Sequence, residues 1–262
     1  HMGHAIIISV LVKIFRPSIK VIGTPHNTNL QSKIREVLLF ATRSLRYADI
    51  VFSSRFRRYY HKKDVTVIPN GVDLRRYRAT NTVGDRFTFL AVGRLEPVKN
   101  HEFLIRLMAT LDDDIDCELH IAGGGYLEPN LRNLIIELDV QDKVKLLGLR
   151  NDVADLIARS HCVVMPSLWE GLPIVLLEAG ASGTPIVSTP VGDIPSLLDD
   201  NTATISTLEV FRDSMVRIYR NYEEALVKAS KLREKIELEY SIDSIVLQHL
   251  ELYRKSIGVD AE

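Results

Sequence analysis

The stretch Pro166-Ser167-Leu168-Trp169-Glu170-Gly171-Leu172-Pro173-Ile174-Val175-Leu176-Leu177-Glu178 decides the fold. It follows a short apolar run, Cys162 to Met165, that reads as a buried strand. Gly171 breaks the pattern, and Pro173 sits where a first helical residue tolerates a missing N–H. Ile174, Leu176 and Leu177 continue as an apolar helix. Strand, tight loop and helix follow one another. The first-turn amides of such a helix have no internal partners and suit an anionic or hydroxyl-rich ligand. Glu170 lies on the loop and Glu178 about two turns later. One carboxylate can reach the reacting end of a ligand while the other holds a distal hydroxyl pair. Glu178 lies among apolar residues, and an acid buried there needs a partner.

Outward from this stretch, strands and helices alternate. Predicted strands run from Lys20 to Gly23, Asp49 to Phe52, Val65 to Ile68, Phe87 to Val92, Cys117 to Ala122, Val144 to Leu147 and Pro185 to Ser188. Predicted helices run from Gly3 to Phe15, Leu30 to Tyr47, His101 to Leu111 and Pro129 to Asp139. A further helix is capped by Asn151, and a short basic one covers residues 55–63. Such alternation implies parallel α/β layers. The polar segment 80–85 reads as a linker, and the tail from about Leu208 reads as amphipathic helices. The expected domains are 1–80, 81–205, and a helical 206–262 that completes the second and packs back toward the first.

Composition fits an ordinary globular protein: 262 residues, 46% hydrophobic and 26% charged. Cys117 and Cys162 each fall in an apolar run and read as buried free thiols. The early apolar run, Ala5 to Val12, is too short to span a bilayer and lacks the marks of a signal peptide. A cytoplasmic location is expected. Residues 1–80 carry 15 Lys/Arg against 4 Asp/Glu, and residues 81–262 carry 18 against 30. A basic front half suits an anionic surface.

Two glutamates eight positions apart around Gly-Leu-Pro resemble the E-x7-E signature of the family-4 retaining glycosyltransferases. The resemblance covers nearly all of residues 19–200. It implies an α/β fold of GT-B type, two Rossmann-like parallel domains, here with the first incomplete and the second complete. The family's glycine-rich first loop has no counterpart, so the front of the first domain is expected to be missing. The chain is then expected to bind nucleotide but transfer sugar poorly, and its exposed sheet edge predicts a homodimer or aggregation.

By that resemblance, Gly93, Arg94 and Lys99 bind the donor diphosphate, and Glu178 accepts from the ribose hydroxyls. Glu170 lies near the transferred sugar, and the amides of Gly171, Leu172 and Ile174 hold sugar hydroxyls or a phosphate. His26 ends a strand facing the donor sugar. Leu149 and Arg150 border the base pocket, largely through backbone. Gly123 and Gly124, with Gly125, form either a plain turn or a phosphate contact, without the spacing of dinucleotide binders.

The implied reaction is retaining transfer from a nucleoside-diphosphate sugar, UDP- or GDP-linked, to a glycan, lipid or lipid-linked acceptor. It needs no metal, no other cofactor and no nucleic acid. The D-x-D pattern in residues 112–116 falls at the wrong end of the sheet to hold a metal. Basic residues 55–63, interleaved with Phe56, Tyr59 and Tyr60, form either a solvated face or a contact with an anionic membrane at its inner surface. Two other readings share the architecture: a sugar-nucleotide 2-epimerase, and a non-catalytic nucleotide-sugar binder.

Overall fold

The computed structural model describes residues 2–24, 32–53, 57–62, 65–78 and 83–259. The chain divides into two compact units, residues 1–70 with 242–262, and residues 71–241. The division falls at Asn70/Gly71, and the last helix groups with the front unit, whereas the sequence suggested a boundary near residue 80.

The first unit carries a parallel sheet of three short strands, β1 (Ile22–Gly23), β2 (Ala48–Val51) and β3 (Thr66–Val67), in that order. The helices α1 (Met2–Phe15), α2 (Lys33–Ala41) and α10 (Ile242–Ile257) belong to the same unit. Helix α2 ends at Ala41, before the predicted Tyr47. Thr42 bonds back to Leu38 O through both its N–H and its hydroxyl, and a 3-10 turn over Arg43–Leu45 follows. The predicted basic helix over 55–63 is not formed within the described residues 57–62, which make a turn closed by His61 N–H to Arg58 O at 3.0 Å.

The second unit holds a six-stranded parallel sheet. Its strands are β4 (Phe87–Val92), β5 (Cys117–Ala122), β6 (Val144–Gly148), β7 (Cys162–Met165), β8 (Ile186–Ser188) and β9 (Thr204–Ile205). The spatial order is β6-β5-β4-β7-β8-β9. The chain therefore builds outward from β4 on one side, then crosses over to build outward from β7 on the other. Continuous apolar strands such as β7, buried along its whole length, are what a sheet covered on both faces requires. Two buried clusters flank it. One packs Phe89, Leu104, Met108 and Phe211; the other packs Leu90, Val163, Leu176, Leu177 and Leu232. Cys117 and Cys162 are buried free thiols, as expected.

Helix starts differ from expectation by one residue. Pro173 is extended, with φ −69° and ψ 124°, and caps α6 (Ile174–Ala181) instead of opening it. Its carbonyl takes Leu176 N–H at 3.1 Å. Asp152, not Asn151, precedes α5 (Val153–Arg159), and its carboxylate bonds Arg150 instead of capping the helix. No helix among the described residues is long and apolar enough to cross a membrane.

Candidate functional site

Parallel strands send all their carboxyl ends to one edge, and ligands in open α/β sheets bind where the strand order reverses. In the second unit that point lies between β4 and β7. The loops leaving these two strands carry Gly93 to Asn100 and Pro166 to Pro173. They are fastened together: Leu168 N–H donates to Val98 O at 2.8 Å, and Asn100 Nδ2 to Pro166 O at 3.2 Å. Asn100 adopts the left-handed conformation, φ 57°, which asparagine tolerates better than most residues.

This arrangement brings Lys99 to Glu170. Lys99 Nζ donates to Glu170 Oε1 at 2.6 Å, and Ser167 Oγ donates to the same oxygen at 2.7 Å. Both side chains are largely sequestered, at 19% and 10% exposed. A Cβ at Gly93 would meet the Lys99 stem at 3.3 Å, so the glycine leaves room for the ammonium to reach inward. Arg94 behaves differently. Its side chain is 73% exposed and pairs with Glu96 at 2.6 Å.

Two glycines fix the loops. Gly123, at φ 154°, lies so close to Gly93 O that a Cβ would fall 1.8 Å from it. Gly192, at φ 56°, lies as close to Glu170 O. The glycine at 123 is thus accounted for by backbone packing against the β4 loop, where Gly93 N–H bonds Ala122 O and Leu95 N–H bonds Gly124 O, both at 3.0 Å. Behind the Glu170 loop, Thr189 Oγ1 donates to Ser167 O at 2.7 Å and Asp193 N–H to Gly171 O at 3.3 Å.

Glu178 is half-buried on α6, and Tyr77 O–H donates to its Oε1. That phenol is the partner the sequence argument required. Leu172 is buried, Ile174 is exposed, and Gly171 is intermediate. After β6, Leu149 is 86% exposed beside Gly124, and Arg150 Nε bonds Asp152 Oδ1 at 2.8 Å. His101 opens α3 (His101–Met108) directly behind the Lys99 loop. Burial pushes its imidazole down to about 4, against raising contributions from the backbone of Arg94 and Gly93. It stays neutral at neutral pH. His26 lies outside the described residues, as do Arg55, Phe56 and Lys63 of the basic segment.

The acids of residues 112–116 precede β5, away from the ligand edge. Asp112 pairs with Arg212, Asp114 with Arg220 and Asp116 with Arg86. Among the described residues no group of three or more His, Cys, Asp or Glu side chains is placed to hold a metal ion.

Sequence reasoning missed Ser167, Tyr77, Thr189 and Gly192. Ser167 alone had a local signal, three residues before Glu170 on the same loop.

With these loops in place, the comparisons are specific. The model of the family described as glycosyl transferases group 1 matches residues 75–235. The chain belongs to this family. The match begins just before Tyr77 and takes in Lys99, Glu170 and Glu178. An Escherichia coli UDP-Gal:alpha-D-GlcNAc-diphosphoundecaprenol alpha-1,3-galactosyltransferase is 31% identical over 179 residues, covering 61% of this chain and 46% of that protein. A Campylobacter jejuni N-acetylgalactosaminyltransferase, whose name gives a diphospho-undecaprenol-linked acceptor, is 36% identical over 131 residues, 48% of this chain and 35% of its own. The chain thus spans less than half the length of these relatives. The Anabaena protein Alr3699/HepE, solved with UDP, superposes with a TM-score of 0.84 at 20% identity, covering 97% of this chain and 77% of that one. Sucrose-phosphate synthase from Thermosynechococcus elongatus gives 0.81 at 22% identity, covering 97% and 73%. These likenesses carry the fold, an α/β architecture of GT-B type.

Proposed function

We propose that this chain supplies the donor side of a retaining glycosyltransferase that moves a sugar from a nucleoside-diphosphate sugar to a glycan or lipid-linked acceptor. The observation that carries this reading is the meeting of Lys99 and Glu170 at 2.6 Å where the strand order reverses. In this reading Lys99 and Arg94 take the diphosphate and stabilise the charge that grows on the leaving group. An ammonium has three donors, so Lys99 can hold Glu170 and still offer donors to a phosphate. Glu170 and the amides of Gly171, Leu172 and Ile174 line the sugar. Glu178 receives the ribose hydroxyls, and the exposed Leu149, with Gly124 and Arg150 beside it, borders the base.

Retention follows without a protein nucleophile, by front-face attack with the leaving phosphate taking the acceptor proton. Glu170 suits that division of labour, because Lys99 and Ser167 both donate to its Oε1 and hold the carboxylate in place. A uracil base is favoured because structural neighbours, HepE among them, were solved with UDP or a UDP-sugar. A diphosphate-bearing lipid acceptor is favoured because two relatives carry one in their names. In the first unit Arg43, Arg57, Arg58, Tyr59 and His61 line one open cleft. That basic lining suits a phosphorylated acceptor at the anionic inner face of a membrane.

The epimerase reading finds less support. Asp49 is held by Arg46 within the first unit, and Glu36 accepts from Tyr59 O–H at 2.8 Å. The deciding experiment is a thermal-shift panel of nucleoside diphosphates and nucleotide sugars, followed by radiolabelled transfer to a polyprenyl-diphosphate-linked sugar. A rise in melting temperature with UDP is expected, with label in the lipid fraction only weakly above background for this chain. A chain stabilised by no nucleotide would reject the reading; epimerised free product would transfer it to the second class.

A further inference from the structure

Tyr77 and Glu178 lie about a hundred positions apart, and nothing in their local sequences links them. The phenol is 6% exposed and donates to Glu178 Oε1. Burial first, and then the carboxylate it faces, hold its pKa well above that of an ordinary tyrosine. The hydroxyl therefore remains a donor throughout the physiological range.

The backbone that carries Tyr77 is itself tied down. Tyr77 N–H bonds Asp73 O at 3.1 Å, and Arg75 N–H bonds Asp73 Oδ1 at 3.0 Å. Val72 N–H donates to Tyr240 O at 2.9 Å, and Val72 pairs with Ser241 in a parallel bridge. The Arg76 guanidinium lies 5.7 Å from the centre of the Tyr77 ring. A phenol on so fixed a backbone has only two side-chain torsions left to order. Glu178 sits on the other side of the bond with three torsions of its own, on a helix whose neighbouring residues 175–177 are buried.

A carboxylate offers about four acceptor positions. Tyr77 occupies one on Oε1. The remaining three suffice for a vicinal hydroxyl pair, which needs the carboxylate plane held in one orientation. Without the phenol the side chain would sample several rotamers, and binding would have to order it each time.

We propose that Tyr77 is a positioning residue for Glu178, fixing the carboxylate in the orientation that receives the vicinal hydroxyls of the donor ribose. The inference rests on the reading of Glu178 as the ribose-binding acid. Tyr77 touches no ligand in this scheme and acts only through Glu178.

The test uses the 262-residue chain and its Tyr77→Phe, Glu178→Ala and doubly substituted forms. Calorimetric titration is run with UDP and, in parallel, GDP; whichever binds more tightly is paired with its 2′,3′-dideoxy analogue. Glu178→Ala should weaken the ribonucleotide and spare the dideoxy form. Tyr77→Phe should weaken the ribonucleotide about fivefold, the scale of one ordinary hydrogen bond, spare the dideoxy form, and lower the unfolding midpoint slightly because the half-buried acid loses its partner. The double variant should bind no more weakly than Glu178→Ala alone, since both changes remove the same interaction. Selective loss in Glu178→Ala with equal losses for both ligands in Tyr77→Phe, or with fully additive losses in the double variant, overturns the positioning role and leaves the ribose reading standing. No nucleotide binding, or a Glu178→Ala form that binds the ribonucleotide normally, rejects the ribose reading and the inference with it.

Discussion

Each unit hides an ion pair, and the two pairs are built differently. In the first unit Arg46 and Asp49 are 1% and 2% exposed, with Nε to Oδ1 at 2.9 Å and Nη2 to Oδ2 at 3.0 Å. The guanidinium also donates to Leu39 O at 3.1 Å and Tyr60 O at 2.6 Å, and Asp49 takes Lys62 N–H at 2.7 Å. Charges so deeply buried survive only with this degree of satisfaction. In the second unit Lys99 and Glu170 meet at the mouth of two loops, more exposed, with an ammonium that still has donors to offer. The deeply buried pair is scaffold. The more exposed one can share its charge with a ligand.

The sharpest way to break this comparison is to delete one carboxylate from the scaffold pair. Asp49→Ala leaves Arg46 buried without its counter-charge and should destabilise the first unit by about 3–5 kcal/mol. Denaturant unfolding checks this, and nucleotide affinity of the folded fraction should be unchanged. A variant of normal stability that binds nucleotide poorly would reverse the assignment of the two pairs.

Lys99→Met asks the opposite question. Loss of one charge-assisted contact, about 1.5–3 kcal/mol, should weaken a nucleoside diphosphate roughly tenfold to a hundredfold and leave the nucleoside almost untouched. Stability should fall less than in Asp49→Ala, because Ser167 still donates to Glu170 at 2.7 Å. Calorimetry with both ligands is the check, and equal losses for the two would place Lys99 in the scaffold.

The same contrast governs what the sequence could reveal. Strands β4 and β7 were legible because buried parallel strands need near-continuous apolar runs, and Phe87–Val92, broken only by Thr88, and Cys162–Met165 supply them; β5, Cys117–Ala122, keeps Cys117, Leu119 and Ile121 apolar and buried while carrying Glu118 and His120 between them. Lys99, Glu170 and Glu178 were legible as candidates because each stands close behind a strand end or on the helix that follows. Tyr77 was not, because its role exists only once the segment before β4 lies against α6. Gly192 was not legible either; its closeness to Glu170 O, which no side chain would permit, comes from the β7 and β8 loops approaching in space. The basic segment misled for another reason. Its arginines and tyrosines carry no apolar period to bury, so hydrogen bonding of His61 N–H to Arg58 O decides a turn.

Acid should sharpen the distinction through His101. An imidazole whose folded pKa is depressed to about 4 resists protonation that the unfolded chain accepts near 6.5. The unfolded state then binds more protons between these values, so stability is fully present above about pH 6.5 and is lost as pH falls toward 4. The loss assignable to this one group is about 3 kcal/mol at most. Unfolding midpoints of the native chain and of His101→Gln, measured from pH 7 to pH 4, should converge as the pH falls. Parallel curves would show that His101 is not the group responsible.

The smallest effect is expected at Arg94, and its signature is salt. The side chain is 73% exposed and already leans on Glu96, so its contribution to a bound diphosphate is that of a solvated ion pair, about 0–1 kcal/mol. Arg94→Ala should therefore weaken nucleoside-diphosphate binding by no more than about fivefold in dilute buffer. The deficit should shrink as salt rises, because charges in solvent are screened over about 8 Å at physiological ionic strength. Lys99, sheltered at 19% exposure, should keep its larger effect across the same salt range. The measurement is nucleotide affinity for both variants between low and high salt. If the Arg94 deficit is as large as that of Lys99 and equally indifferent to salt, then Arg94 leaves Glu96 and turns inward when nucleotide binds, and the two cations form one site instead of an inner and an outer one.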